Sequence, residues 1–178
     1  MSPCMPALTS LSADQARDRL PELGALLQAC VQDGASVGFV LPFSAAEGQA
    51  YWRDKVIPEL RGQGLTLLIA RRGGAIAGTV QLDCAGMPNQ HHRAEVRKLL
   101  VHPGHRRLGV ARALMAELEI LARQAGRTLL TLDTRSGDVA QQLYGSLGYR
   151  VAGEIPGYAR DPFGSQRFDA TTFMYKQL

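Results

Sequence analysis

The segment at 99–118, LLVHPGHRRLGVARALMAEL, constrains this chain more than any other. An apolar triplet ends near a proline, a short basic turn follows, and apolar residues then recur at helical spacing. The first N–H groups of such a helix have no internal partner, and the helix dipole adds positive potential to them. Gly109 and Ala111 leave room for an anion to approach the backbone, and Arg106 and Arg107 add full charges. On helix physics alone, a solvated basic first turn fits equally well. No GK[ST] follows and GxGxxG is not met, so neither the Walker nor the Rossmann phosphate pattern is present.

The rest of the chain supplies the elements around this segment. Ser12 can cap a short helix, and a second carries Pro21 in its first turn, with Leu23, Leu26, Leu27, Cys30 and Val31 on one face and Gly34 as its stop. SAAE at 44–47 is a capping box that opens a helix carrying Tyr51, Trp52, Val56 and Leu60, which Pro58 should kink or end. LTLLIARR, GG and AIAGTVQLDC read as a hairpin turning at Gly73 and Gly74. RAEVRKLLVHP is a third strand, in which Leu99, Leu100 and Val101 break the in/out alternation; the strand is either buried on both faces or bulged.

The helix after the basic turn should run to about Gln124, before Gly126. RTLLTLDT is a strand, a helix follows from about Asp138 to Leu147, and YRVAGEI and RFDATTFMYKQL are strands flanking a loop around RDPFGSQ. This order predicts one α/β domain over 1–178 around a mixed sheet of about six or seven strands. Whether a short strand precedes the first helix is open.

Composition narrows the function classes. The 178 residues are 46% apolar and 20% charged, enough for a real core, and no apolar run approaches the roughly 20 residues of a membrane span. MSPCMPALTSLSADQ lacks the basic-then-apolar pattern of a secretory signal. Cys4, Cys30 and Cys84 are scattered and odd in number, which predicts a reducing, cytoplasmic setting. His91, His92, His102 and His105 lie in loops with no cysteine beside them and read as polar loop residues; no metal is expected. The net charge of +4 suits an anionic small ligand. An alternative is a basic nucleic-acid-binding module using Arg97, Lys98, Arg106 and Arg107. Tyr51 and Trp52 read as core rather than ligand wall, though their helix could cover a bound ligand, and Tyr158 and Phe163 either wall a site or pack.

Two motifs carry a family resemblance. VHPGHRRLGVARALM resembles the acyl-CoA-binding motif [RQ]-x-x-G-x-[GA] of the GNAT N-acetyltransferases, through Arg106, Gly109 and Ala111; Arg107 stands where the family usually has Gly. AQQLYGSLGYRVAGE resembles the family's A-x-x-[FL]-Y-x-x-x-G-[FY] block, with Tyr144 at its tyrosine. GASVGFV, RAEVRKLLV, LLTLDTRSGDVAQQLY and GEIPGYARDPFG together resemble the tabtoxin-resistance acetyltransferases. The resemblance implies a mixed, mostly antiparallel six- or seven-stranded sheet, flanked by about four helices and splayed between its fourth and fifth strands. It implies acetyl-CoA as acetyl donor and an amine of a small toxin or antibiotic-like molecule as acceptor, with neither nucleic acid nor membrane as partner. The oligomeric state stays open, a homodimer included.

The resemblance also assigns residues. Backbone groups of Leu99, Leu100 and Val101 would pair with the pantetheine arm like an added strand, and Arg106, Arg107, Leu108, Gly109, Val110 and Ala111 would hold the pyrophosphate. An alkyl ammonium with a pKa of ~10.4 is only roughly 1 part in 2,500 neutral at pH 7, so direct attack on a thioester needs a proton acceptor. Glu95 and Asp133, near the ends of adjacent strands, are the candidates. Glu95 also fits as an ion-pair partner of a nearby arginine, and Asp133 as a turn carboxylate before TRSGD. Tyr144 would protonate the leaving thiolate, or else pack as a core aromatic. A non-catalytic acyl-CoA-binding sensor is the remaining alternative.

Overall fold

The hairpin at Gly73 and Gly74 joins β2 (Leu65–Arg72) to β3 (Ala75–Asp83) within a seven-stranded sheet. The structure is a computed structural model that describes residues 5–62, 64–84 and 86–178; Cys4 lies outside the described residues. β1 (Ala7–Leu11) pairs antiparallel with β2, so the N-terminal third is not wholly helical and the strand left open by the sequence is present. β4 (Arg93–Val101), β5 (Leu129–Arg135), β6 (Arg150–Arg160) and β7 (Phe168–Gln177) complete the order β1-β2-β3-β4-β5-β7-β6. Every neighbouring pair is antiparallel except β4–β5. β6 runs farther than YRVAGEI, through Pro156, because on an edge strand a residue without an N–H breaks no ladder.

Six helical segments among the described residues form four bodies. α1 (Ala13–Asp18), capped by the reciprocal Ser12–Gln15 box, leads into α2 (Leu20–Gln32). α3 (Ala45–Tyr51) opens on the Ser44–Glu47 box and continues through a π turn at Trp52–Val56 into α4 (Ile57–Arg61). The π turn is where Pro58 acts. Proline offers no N–H to the preceding turn, and the Ile57 N–H reaches back to the Trp52 carbonyl instead. α5 (Val110–Gln124) and α6 (Val139–Ser146) are the other two bodies.

Strand alternation sorts the core into two layers. Leu68, Val80, Leu82, Val96, Leu130 and Leu132 face α5, whose Val110, Leu114, Met115 and Leu118 cover them together with Tyr144 of α6. Leu65, Leu67 and Ile69 face the other way, against Leu23, Leu26, Leu27, Trp52 and Ile57 of α2 to α4. α2 and α3 cross where Gly24 meets Gly48. A Cβ on Gly48 would lie 2.6 Å from the Gly24 carbonyl oxygen, so only glycine permits this approach. Trp52 is fully buried beside the crossing and donates its indole N–H to the Leu23 carbonyl at 2.9 Å.

Candidate active site

The parallel ladder between β4 and β5 has only three rungs, Arg93–Leu129, Ala94–Leu130 and Glu95–Thr131. Beyond them β5 continues along β7 as far as Arg135–Thr171. β4 instead stays with β3, through Thr79–Leu100 and Gly78–Val101. The sheet therefore splays between its fourth and fifth strands. The broken alternation is a bulge: one β4 residue too many lies between the Gln81–Arg97 and Thr79–Leu100 pairs. Lys98 takes up the excess at φ 50°, the left-handed region that a side chain disfavours, and the buried Thr79 hydroxyl donates to its carbonyl at 3.2 Å. The β5-facing edge of Leu99–Val101 consequently has no strand partner among the described residues, so an extended ligand can lie along it. Beneath it, Cys30 donates its Sγ–H to the Val101 carbonyl at 3.5 Å; burial pushes this thiol up to about 11, so it stays protonated.

After Val101 a 3₁₀ turn at Pro103–His105 brings the chain to the basic turn, with His102 accepting the Gly104 N–H at 3.1 Å. Arg107 (φ 59°) and Gly109 (φ 79°) are both left-handed and bracket the exposed Leu108, which turns successive backbone N–H groups to one side. Gly109 then stands at the start of α5 with no side chain capping it, and no atom lies within 4 Å of where its Cβ would be. The free N–H groups of Val110 and Ala111, the dipole of a fifteen-residue helix and open space above Gly109 fit a pyrophosphate. Arg106 does not stand free, because its guanidinium binds Asp33. Arg112 holds the start of α5 to α6 through Ser146 Oγ at 2.8 Å.

Glu95 and Asp133 lie on the opposite face from α5, since Ala94, Val96, Leu130 and Leu132 point to α5. Glu95 is half-buried and Asp133 exposed at the open end of the splay. Burial raises the Glu95 pKa; Arg97 opposes the rise, and Asp83 and Asp133 add to it. Tyr144 is 6% exposed, packs in the α5 layer 5.8 Å from the Tyr149 ring, and has its phenol pKa raised by burial and then by Asp133. It is thus a core aromatic whose hydroxyl senses the site carboxylate. At neutral pH such a phenol keeps its proton and can offer it in a hydrogen bond, although burial makes it a weaker acid than an exposed tyrosine.

On the same face as the carboxylates lies a group that periodicity did not reveal. Gln81 pairs with Arg97, and Asp133 with Phe173, across neighbouring strands. The Lys98 ammonium sits 5.6 Å from the centre of the Tyr51 ring, with the backbone at Gly38 close over it. Tyr51 therefore borders the site, whereas Trp52 is core. The Leu41 N–H donates to the Pro162 carbonyl at 2.8 Å, joining the loop at 35–43 to the loop at 161–164. Phe163 packs over Gly34, and Tyr158 meets Phe173 edge-on at 5.7 Å. The proposed basic stripe is not a free face: Arg97 binds Glu59 at 2.7 Å and Asp83 at 3.0 Å, and Arg106 binds Asp33.

The profile of the Acetyltransferase (GNAT) family matches residues 38–149, more than half of the chain. An uncharacterized N-acetyltransferase encoded between hisH and hisA in Azospirillum brasilense is 34% identical over 108 residues, covering 59% of this chain and 61% of that protein's length. Among solved structures, the ribosomal-protein-alanine N-acetyltransferase of Brucella melitensis superposes with a TM-score of 0.77 at 22% identity, over 97% of this chain and 99% of the other. The yncA protein of Salmonella typhimurium, solved with its cofactor acetyl-CoA, gives 0.73 at 21% identity over 97% and 94%. At these identities the two structures speak for the fold: a mixed α/β sheet of seven strands with one parallel pair. With the family profile spanning the bulged strand, the basic turn and the tyrosine helix, the chain belongs to the GNAT acetyltransferase family.

Proposed function

We propose that this protein is an acetyl-CoA-dependent N-acetyltransferase working as one domain over 1–178 on the amine of a small molecule. The observation that carries the reading is the coincidence of three features along one line: an unpaired edge on β4, the left-handed turn at Arg107–Gly109, and the uncapped start of α5. Acetyl-CoA supplies an activated acetyl thioester to this line. Leu99, Leu100 and Val101 hold the arm as a strand would, the turn from Arg106 to Ala111 binds the pyrophosphate through its N–H groups, and Arg107 adds charge. The bulge at Lys98 fits the freeing of a backbone N–H for the thioester oxygen.

The acceptor approaches on the Glu95–Asp133 face. The carboxylates anchor its ammonium, and Glu95 or Asp133 takes the proton, directly or through water. Tyr144 returns a proton to the leaving thiolate. The resemblance of four segments to tabtoxin-resistance enzymes supports a toxin or antibiotic-like acceptor and a role in resistance, and the free thiols of Cys30 and Cys84 support a cytoplasmic setting. The reading is tested by thermal denaturation with acetyl-CoA. A ligand at 100 times its Kd adds about 2.7 kcal/mol to folding stability, so the melting temperature rises. No shift at saturating acetyl-CoA refutes it.

A further inference from the structure

Lys98 is a half-buried ammonium with no carboxylate of the described residues within ion-pair distance, although Glu95 and Asp133 share its face. Its one close partner is the π face of Tyr51. On the other side of Tyr51, Gln81 is fully buried on β3; its amide reaches the Tyr51 hydroxyl, but among the described residues nothing else completes its hydrogen bonding. A buried amide short of hydrogen bonds and a desolvated cation without an ion pair are unfavourable in a folded protein. The left-handed backbone that the bulge imposes at Lys98 accompanies this unpaired cation. A second charge on the ligand would satisfy these groups: an anionic oxygen accepting from Lys98 Nζ and the Gln81 amide while the amine faces the carboxylates.

We infer that the acceptor is a zwitterion, an amine bearing a carboxylate or equivalent acid group, and that Lys98 and Gln81 recognise the acid. This rests on the acetyltransferase reading and names its substrate class. Burial, and after it the neighbouring Arg97 charge, lowers the Lys98 pKa; Asp133 and Glu95 pull the other way without reversing it.

The test uses matched amine pairs: amino acids against their carboxamides and methyl esters, with acetyl-CoA and wild-type, Lys98→Met and Lys98→Arg enzyme. Thiol release should favour the acids by at least about tenfold in kcat/KM, corresponding to about one lost charged contact. The acid-to-amide ratio should collapse in Lys98→Met, through KM, and recover in part in Lys98→Arg. Neutral amines turning over as well as their acids, or a preference that survives Lys98→Met, overturns the inference and leaves acetyl transfer standing. The anion site is also read without turnover, by the Nζ NMR signal of Lys98 in wild-type protein saturated with CoA. Should no amine be acetylated, a signal that moves with the amino acids and not with their amides supports the anion site while the acetyltransferase reading fails; an unmoved signal overturns both.

Discussion

Glu95 and Thr131 form the last rung between β4 and β5, and Asp133 lies two residues farther along the same face of β5 where the strands have parted. One carboxylate is thus held at the base of the splay and the other at its open end. Glu95→Gln should slow acetylation by about 10²-fold with acetyl-CoA binding retained, the size expected for loss of a general base. Asp133→Asn should act in the same direction. Wild-type turnover in both variants would remove the carboxylates from the reaction.

The raised Glu95 pKa gives a pH signature. The folded protein holds this proton more tightly than the unfolded chain does. The associated stability is fully present below the ordinary carboxylate value of about 4.3 and is lost as pH rises through the raised one. Glu95→Gln removes that loss, so it should melt higher than wild type at neutral pH. The wild-type rate should fall as pH drops through the raised value, and the variant should lack that acid limb. Calorimetry and a pH–rate profile check both, and a variant that melts lower at neutral pH contradicts the assignment.

Tyr144→Phe should keep its melting temperature within a few degrees, because the ring stays in the α5 layer, while kcat falls about ten- to hundredfold. Acetyl-CoA affinity should hold. A large loss of stability with unchanged kcat would make the residue structural only.

Gly109→Leu separates fold from ligand. The new Cβ meets no atom within 4 Å, so the fold suffers only the left-handed strain of about 1–2 kcal/mol. The acetyl-CoA-induced rise in melting temperature should nevertheless vanish, as the side chain enters the space above the N–H groups. An undiminished rise places the pyrophosphate elsewhere.

Trp52→Phe probes the helical layer away from the chemistry. It deletes the 2.9 Å bond to Leu23 and opens a cavity, at a cost of about 1–3 kcal/mol read by denaturant unfolding. Acetyl-CoA binding should persist; a variant as stable as wild type contradicts the packing described for the π turn.

The sequence made legible those elements whose signals are local. The hairpin, α5 between Gly109 and Gly126, and the two capping boxes follow from short-range chemistry. β1 stayed an open question because ALTSL is short and mostly exposed, and exists by pairing with Leu67–Arg71 far along the chain. The break at Leu99–Val101 signalled a bulge but did not show which residue carries it, since strain at Lys98 depends on how β3 registers with β4. Gln81 went unseen, and Tyr51 was weighed only as core or ligand wall, for a related reason: β3, the bulge and the end of α3 converge only in the folded chain. The sequence also could not show that Arg106 binds Asp33, a contact across 73 positions.

The most direct measurement is amine-dependent release of CoA thiol from acetyl-CoA, followed with mass spectrometry of the amine product. Thiol release that requires an amine and matches the N-acetylated product one for one is the predicted result. Release that is absent with every amine, or that proceeds equally without one, contradicts the account.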